Sequence, residues 1–390
     1  MEFRFTEEQE QFRKEIGCFL AEESRRGTFE SQDDAWAQGF SLEFSRKVAQ
    51  RGWIGLTWPK EYGGQDRSYL DRLIYMEEML RYGAPVAAHW MGKRQMGPPL
   101  IRYGTTEQKE WFLPRIVRAE IVFCAGMSEP GAGSDLASLQ TRAVEDGNDL
   151  VITGQKVWTS RAHLADFCYL VVRTDSDAPK HRGLSEIVVD LKLPGITVRP
   201  LIDMTGGYHF NEVFFDGVRV PKTALIGEKN RGWYQIISQL DFERSGLERL
   251  MGNYLLFRDI INYAREIQRH GKPLGEHRAI RHKLAQLAIE FEVGRLLIYR
   301  VAWALSQGRL PNYESAMAKA YCSEFEQRVA GQAMEILGLY GHLLAGSKRA
   351  ALTGRAARSY LFSRAYTIQG GTSEILRTVI AIRGLGLPTN

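Results

Sequence analysis

The chain is 390 residues long, with 44% hydrophobic residues, 25% charged residues and a formal net charge of +5. This composition excludes a disordered or low-complexity chain and is typical of a globular protein with a large core. Lysine and arginine are spread along the sequence rather than clustered, so we expect no nucleic-acid partner. No apolar segment approaches the length needed to span a bilayer, so we expect no membrane partner either.

The cysteines and histidines give no sign of a metal site. Cys18, Cys124, Cys168 and Cys322 lie far apart, and the histidines show no ligand spacing with them or with one another. We therefore expect reduced, mostly buried thiols and no bound metal. Because the N-terminus also lacks the apolar core of a signal peptide, the sequence predicts a cytoplasmic protein.

The first 120 residues have the apolar periodicity of helices. A helix is predicted to begin at Thr6, because Gln9 follows three residues later as in a capping box. The pattern then predicts four more helices, over about 42–50, 70–82, 86–103 and 105–118.

Short β-branched and aromatic runs replace this pattern after residue 120. Strands are predicted around 151–152, 167–172, 187–191, 196–198 and 213–215. Helical periodicity then predicts helices over 233–268, 277–306 and 313–337, with a last one near Thr372. The predicted fold class is α+β, with an N-terminal all-α domain (1–120), a middle β-domain (121–230) and a C-terminal four-helix-bundle domain (231–390).

Two short motifs lie in the predicted β-domain. Residues 127–135 read Met-Ser-Glu-Pro-Gly-Ala-Gly-Ser-Asp, and residues 154–160 read Gly-Gln-Lys-Val-Trp-Thr-Ser. A glycine-rich loop with hydroxyls can wrap a polar ligand with its backbone N–H groups. An indole offers a flat apolar wall to a planar ring, and neighbouring hydroxyls can hydrogen-bond the edge of that ring.

In this order and spacing, the two motifs resemble the T-E-P-x-A-G-S-D and K-x-W-I-T signatures of the acyl-CoA dehydrogenase family. The resemblance runs almost end to end and implies the fold of that family. It also implies an FAD cofactor, an acyl-CoA substrate, an acceptor such as an electron-transfer flavoprotein, and a dimer or tetramer. By resemblance, the residues that contact the flavin are Met127, Ser128, Ser134, Trp158, Ser160, Thr372 and Glu374.

The family removes an α-proton from the thioester with a carboxylate, while the β-hydrogen leaves as hydride to flavin N5. Most members carry that carboxylate in Y-x-x-Y-E-G-T-S, but here Gly370 occupies the Glu position. A smaller branch, like isovaleryl-CoA dehydrogenase, has its base in L-D-x-E-R, which is present here and makes Glu243 the expected base. The alternative is that Glu243 is an ordinary surface residue of its helix, with Asp241 and Glu248 as competing carboxylates.

Further roles follow from the same resemblance. Asp241 and Arg244 would hold the pantetheine part of CoA, Ser134 would also contact the substrate, and the backbone N–H of Gly370 would polarise the thioester carbonyl.

The motifs that members lend to a neighbouring subunit's flavin are altered. Ile267 stands for the arginine of R-x-x-F-G, while Glu335 and Leu339 replace residues of Q-x-x-G-G-x-G. We therefore expect a heteromer in which a paralogous subunit supplies the missing arginine, as in steroid and some dicarboxylic acyl-CoA dehydrogenases. The alternative is a homo-oligomer in which Arg265 or Arg269 takes that role.

Other functions stay open at this point. The same fold could host an acyl-CoA oxidase, a carrier-protein-linked dehydrogenase, or a non-catalytic subunit of a heteromeric enzyme. The sequence does not specify the acyl chain, although the heteromer-like features favour bulky, ring-bearing or dicarboxylic acyl groups.

Overall fold

The computed structural model describes residues 4–243 and 247–388, and for residues 238–243 it describes the backbone alone. The predicted roles of the Asp241, Glu243 and Arg244 side chains therefore lie outside the described residues.

The first helix begins where its capping sequence predicts. Thr6 accepts a hydrogen bond from the backbone of Gln9, whose side chain accepts one from Thr6 in return. The helices of the first 120 residues are α1 (Glu7–Arg25), α2 (Ala35–Gln38), α3 (Leu42–Gln50), α4 (Tyr69–Arg81), α5 (Ala87–Met91), α6 (Gly97–Tyr103) and α7 (Thr106–Val117).

The single helix predicted over 86–103 contains a π-helical turn, Gly92–Met96, between α5 and α6. Pro98 and Pro99 lie at the start of α6 and have no backbone N–H, so they cannot donate regular α-helical hydrogen bonds to the carbonyls of this turn. The sequence therefore predicts the helical segment correctly but misses its wider turn.

An eight-stranded mixed sheet follows, in the order β6-β7-β3-β2-β4-β5-β8, with β1 paired to β4. Its strands are β1 (Phe123–Gly126), β2 (Arg142–Asp146), β3 (Asp149–Lys156), β4 (Phe167–Arg173), β5 (Leu184–Asp190), β6 (Ile196–Leu201), β7 (Phe210–Pro221) and β8 (Leu225–Ile226). The inward-facing residues of these strands form one apolar core that includes Ile152, Leu170, Ile187 and Val213.

A register shift interrupts the pairing of β3 with β7 between Ile152 and Gly154. Gly154 has φ 153°, and a Cβ there would lie 2.5 Å from Thr141 Oγ1. The irregularity therefore requires glycine, and it redirects the end of β3 towards the segment that carries Trp158.

The one long helix predicted over 233–268 is wrong, because the structure divides it. The elements in this range are α8 (Gly232–Glu243), α9 (Leu247–Met251) and α10 (Tyr254–Glu266), and the described residues show a break between α9 and α10. Between α9 and α10 the carbonyl of Gly252 accepts a hydrogen bond from the Asp34 N–H at 2.8 Å, and a Cβ at Gly252 would meet Asp34 Oδ1. A long-range contact thus ends the helix where periodicity alone would continue it.

The remaining elements are α11 (Arg278–Ser306), α12 (Tyr313–Leu337), α13 (Arg355–Phe362) and α14 (Ser373–Val379), with a short hairpin of β9 (Gln268–Arg269) and β10 (Lys272–Pro273) and a π-turn at Ile380–Gly384. Short 3-10 turns lie at Lys60–Tyr62, Leu136–Ser138, Ala162–Leu164, Lys222–Ala224, Leu274–Glu276, Gly338–His342, Ala351–Gly354 and Ser363–Thr367.

The chain forms two compact units. The helical unit comprises Met1–Phe40, Arg67–Val86 and Arg244–Asn390, and the mixed unit comprises Ser41–Asp66 and Ala87–Glu243. The mixed unit thus contains the whole sheet together with α3 and α5–α8. The division into domains at residues 120 and 230 stays a prediction.

The helical unit buries a polar cluster. The hydroxyl of Tyr366 donates to Asp34, and Arg355 lies 2.7 Å from both Asp33 and Asp259. Burial raises the pKa of Asp34 to about 7, although the Tyr366 hydrogen bond acts in the opposite direction. Asp34 is therefore a protonated carboxyl in the folded protein at mildly acidic pH.

This raised pKa predicts a pH-dependent stability. The unfolded carboxyl ionises near pH 4 and the folded one near pH 7, so the folded state loses stability as pH rises between these values. Asp34→Asn imitates the protonated form and suits the left-handed backbone at this position, φ 54°. The wild type should lose about 3 kcal/mol of its free energy of unfolding between pH 5 and pH 8 through this carboxyl, and Asp34→Asn should abolish that loss. Denaturant unfolding at the two pH values measures it.

The exposed Asp216 provides the control, since Asp216→Asn should leave the pH dependence of stability unchanged. If Asp34→Asn and the wild type lose stability equally between pH 5 and pH 8, the buried carboxyl is not the cause.

Candidate functional site

The glycine loop (residues 127–135) and the tryptophan segment (residues 154–160) are predicted to bind the same ligand, and they lie next to each other in the mixed unit. β1 leads into the loop, where Glu129 and Ala132 exchange backbone hydrogen bonds of 3.0 and 3.1 Å. The N–H of Val157, just after β3, donates to the carbonyl of Ser128 at 2.9 Å. The hydroxyl-bearing loop therefore lies directly beside the segment that carries Trp158.

A buried ion pair fixes this arrangement. The ammonium of Lys156, a fully buried side chain, donates to the Met127 carbonyl at 3.0 Å and to Glu129 at 2.9 Å. The Glu129 carboxylate also accepts the backbone N–H groups of Gln140 and Thr141, at 2.6 and 2.8 Å. One cation and one carboxylate thus connect the glycine loop, the end of β3 and the chain before β2.

The environment shifts the pKa of both partners. Burial lowers the pKa of Lys156 to about 8, although the Glu129 carboxylate opposes this effect. Burial alone would raise the pKa of Glu129, but Lys156 and the hydrogen bonds from Thr141 and Gln140 lower it below its ordinary value. The sequence analysis missed this pair, although both residues lie inside the two motifs.

Trp158 is held with its indole facing outward. The side chain is 59% exposed, and the backbone adopts the left-handed conformation with φ 60°. Phe210 supports the ring edge to face at 5.7 Å, and Thr159 and Asn211 exchange hydrogen bonds of 3.0 Å. An exposed indole in a strained backbone conformation offers a face on which a flat ligand can stack.

Arg161 is a second feature that the sequence analysis missed. Its side chain is buried, its backbone has φ 55°, and its N–H donates to the His209 carbonyl at 2.6 Å. Burial lowers its pKa to about 10. Arg161 directly follows Ser160, so the hydrogen bond of its backbone N–H fixes the chain next to a predicted flavin contact.

These residues fit a flavin on structural grounds. A Cβ at Gly131 or Gly133 would meet nothing within 4 Å, so the loop borders open space. Ser134 is exposed, Ser128 and Ser160 are partly exposed, and the buried hydroxyl of Thr159 has no hydrogen-bond partner among the described residues. Hydroxyls and an exposed indole are the groups that the polar edge and the flat face of a flavin require.

The predicted contacts around Gly370 lie in the helical unit. Gly370 and Gly371 have φ of 68° and 97°, a conformation that a glutamate would adopt only with strain. Lys319 donates to the carbonyls of Tyr366 and Gly371, at 3.0 and 2.6 Å, and fixes both ends of the turn. Thr372 caps α14 by accepting the Ile375 N–H at 3.2 Å.

Glu374 is exposed in the first turn of α14, so the structure places it close to Thr372 and Gly370 in one segment. Of the competing carboxylates, Glu248 is buried in α9.

The backbone of α8 extends through Glu243, the predicted base. Within the mixed unit, α8 packs against α6 and against the π-turn. Three polar side chains of that turn are buried, although the sequence analysis assigned them no role: Lys93, Arg94 and Gln95.

The altered partner motifs lie on the helical unit. Ile267 is 41% exposed and Leu339 is 86% exposed, while Arg265 and Arg269 are exposed nearby in sequence. Lys283 forms an ion pair with Glu335, so the negative charge expected there is compensated within this chain.

Two features are absent from the described parts of the chain. No helix in residues 4–243 or 247–388 is long and apolar enough to cross a membrane. The same residues contain no group of three or more histidine, cysteine, aspartate or glutamate side chains that could hold a metal ion.

The ion pair gives a testable prediction. Lys156→Met leaves the Glu129 carboxylate buried with only its two amide donors. Because removing one partner of a buried pair costs about 3–5 kcal/mol, we expect a loss of about 3 kcal/mol in the free energy of unfolding. Denaturant unfolding monitored by circular dichroism measures it.

Lys180→Met is the matched control. Lys180 also pairs with a residue of the glycine loop, Asp135, but the two side chains are 52% and 59% exposed. Loss of this pair should therefore cost no more than about 1 kcal/mol in the free energy of unfolding. Equal losses in the two variants would contradict a special role for the buried pair.

The chain is similar to known proteins along its whole length. Three family models match the chain: the N-terminal, middle and C-terminal domains of acyl-CoA dehydrogenase, over residues 6–120, 124–218 and 230–385. Acyl-CoA dehydrogenase FadE26 of Mycobacterium tuberculosis is 35% identical over 400 residues, covering 100% of this chain and 99% of the relative.

Two solved structures are similar over their whole length. The Tcur3481-Tcur3483 steroid ACAD has 34% identity and a TM-score of 0.89, and the ChsE4-ChsE5 complex from Mycobacterium tuberculosis has 34% identity and a TM-score of 0.87. Each covers 100% of both chains compared. The chain therefore belongs to the acyl-CoA dehydrogenase family, with the α+β fold of that family and FAD as its cofactor.

Proposed function

We propose that this protein dehydrogenates an acyl-CoA thioester between Cα and Cβ, with Glu243 as the base. The observation that carries the proposal is the left-handed glycine at position 370, where most members have the base. The L-D-x-E-R segment supplies a carboxylate at Glu243 instead. A chain that had lost both carboxylates would have no such base.

Bound FAD supplies the acceptor for the hydride that leaves Cβ. Glu243 takes the α-proton, and the Gly370 N–H donates to the thioester carbonyl, where negative charge develops as that proton leaves. Trp158 supports the flat face of the ring system, with Met127, Ser128, Ser134 and Ser160 along its polar edge. Thr372 and Glu374 contact the cofactor from the turn before α14, and Ser134, Asp241 and Arg244 hold the CoA part of the substrate.

Substitution of Glu243 tests this assignment. Glu243→Gln removes the base but keeps the shape of the side chain, so we expect kcat to fall about 10²–10⁴-fold. Stopped-flow absorbance of the flavin during reduction by acyl-CoA measures the chemical step directly.

The neighbouring carboxylate is the control. Asp241→Asn should raise KM, because the residue is assigned to CoA binding, and should leave kcat close to that of the wild type. A Glu243→Gln variant that reduces its flavin at the wild-type rate would refute the assignment of the base.

We further propose a heteromer with a paralogous subunit. Two observations support it: Ile267 is exposed where an arginine would face a pyrophosphate, and two similar solved structures bear the names of two proteins each. An aliphatic side chain cannot make the charge-assisted hydrogen bonds that bind a phosphate. The similarity to a steroid enzyme also favours a bulky, ring-bearing acyl group.

Flavin content tests the heteromer. The chain purified alone should hold clearly less than one FAD per chain by visible absorbance, and co-expression with a paralogous subunit should restore it. Ile267→Arg should raise the FAD content of the chain purified alone, because it returns a guanidinium to the motif.

Ile289→Arg, which changes an isoleucine that is 61% exposed on α11, should not raise the FAD content. One tightly held FAD per chain in the isolated wild type would refute the heteromer and favour a homo-oligomer using Arg265 or Arg269. A chain without flavin under any condition would instead favour a non-catalytic subunit.

Oxygen consumption without an added acceptor would indicate an oxidase, whereas a dehydrogenase requires an acceptor such as an electron-transfer flavoprotein.

A further inference from the structure

The guanidinium of Arg249 lies beside Gly370, the position at which most family members carry their base. A Cβ built on Gly370 would lie 3.0 Å from Nη2 of Arg249 and 3.9 Å from its Cζ. Both residues belong to the helical unit. In those other members the carboxylate side chain begins at this Cβ. Here the same point is next to the cation of Arg249.

Aromatic rings hold this guanidinium in place. Its Cζ lies 5.4 Å from the ring centroid of Trp36 and 5.8 Å from that of Tyr366, within the range of cation–π attraction. The two rings are stacked on each other at 5.9 Å, and the Tyr366 hydroxyl donates to Asp34. Since Trp36 and Tyr366 are buried, this support is rigid.

The same scaffold fixes the backbone of Gly370. Tyr366 begins the turn, and the ammonium of Lys319 ties the Tyr366 carbonyl to that of Gly371. Arg249 and the Gly370 N–H are thus positioned by one set of buried groups. Donors that are fixed before substrate binds need no reorganisation during the reaction.

Their spacing suits a shared acceptor. Nη2 of Arg249 lies 3.0 Å from the Cβ position of Gly370. Because two atoms bonded to one tetrahedral carbon are about 2.5 Å apart, Nη2 is at most about 5.5 Å from the Gly370 nitrogen. Two donors that bind one oxygen at about 2.9 Å each are separated by no more than about 5.8 Å.

We propose that Arg249 is a catalytic residue that donates, together with the Gly370 N–H, to the thioester oxygen as the enolate forms. This inference rests on the proposed function. In that step the Cα–H bond breaks and the proton passes to the Glu243 carboxylate. The electron pair of the broken bond moves into the C–C bond, and negative charge reaches the thioester oxygen, where the guanidinium stabilises it. Reversal of the step returns a proton to Cα.

Exchange of the α-hydrogen with solvent isolates this step from hydride transfer. The probes are 3-thiaoctanoyl-CoA and a ring-bearing 3-thia-acyl-CoA, which carry sulfur in place of Cβ and cannot lose a β-hydride. The holoenzyme, with its co-expressed subunit if flavin retention needs one, is incubated in D₂O. Deuterium in the recovered thioester is then measured by mass spectrometry.

We expect Arg249→Gln to slow the exchange about 10²–10³-fold, the usual effect of removing one oxyanion donor. Arg249→Lys keeps the charge but not the planar fork of donors, so it should slow the exchange about 10-fold. Arg328→Gln is the control, since Arg328 also lies over a tyrosine ring, that of Tyr321 at 5.5 Å, and should exchange like the wild type.

The outcomes separate the two proposals. No exchange in the wild type with either probe, or full exchange in Glu243→Gln, would refute the proposed function and this inference with it. Exchange that requires Glu243 but continues at the wild-type rate in either folded Arg249 variant would overturn the role of Arg249 alone. If Arg249→Gln does not fold, Arg249→Lys decides the question.

Discussion

A buried ammonium organises the mixed unit. Lys156 cannot be left without partners in the interior, because an uncompensated charge there would be very costly, so the chain brings it a carboxylate and a carbonyl. Both partners come from the glycine loop, and the carboxylate of Glu129 reaches on to the chain before β2. The position of Trp158 beside that loop follows from this constraint together with the glycine at the irregularity in β3.

The helical unit uses the same device around Gly370. Lys319 is also buried, and its ammonium donates to two backbone carbonyls, those of Tyr366 and Gly371. In each unit, then, a lysine in the interior fixes a glycine-containing turn whose backbone is assigned to cofactor or substrate. A buried lysine binds several carbonyls at once because its ammonium has three donors, and glycine permits the backbone angles that such turns need.

The chemistry proposed for this chain depends on the absence of a carboxylate at Gly370 and on the presence of a cation beside it. Gly370 places no carboxylate in its turn, and the nearest side chain, Arg249, is a cation held over two aromatic rings. A guanidinium there favours negative charge on an oxygen, whereas a second carboxylate would oppose it. In the helical unit, Ile267 is exposed at the position where the family motif has an arginine, and Glu335 is paired with Lys283.

The sequence by itself determined the class of fold and the family, and it singled out the two motifs that we expect to contact the flavin, because capping residues, periodicity and short glycine motifs are local properties of the chain. It also located the missing glutamate at Gly370 and the replacement candidate at Glu243. Only the tertiary structure revealed the Lys156–Glu129 pair, the break at Gly252, the π-turn before Pro98 and the closeness of Arg249 to Gly370. These features depend on contacts or hydrogen-bond geometry that periodicity does not encode, and burial decides which charges must find partners.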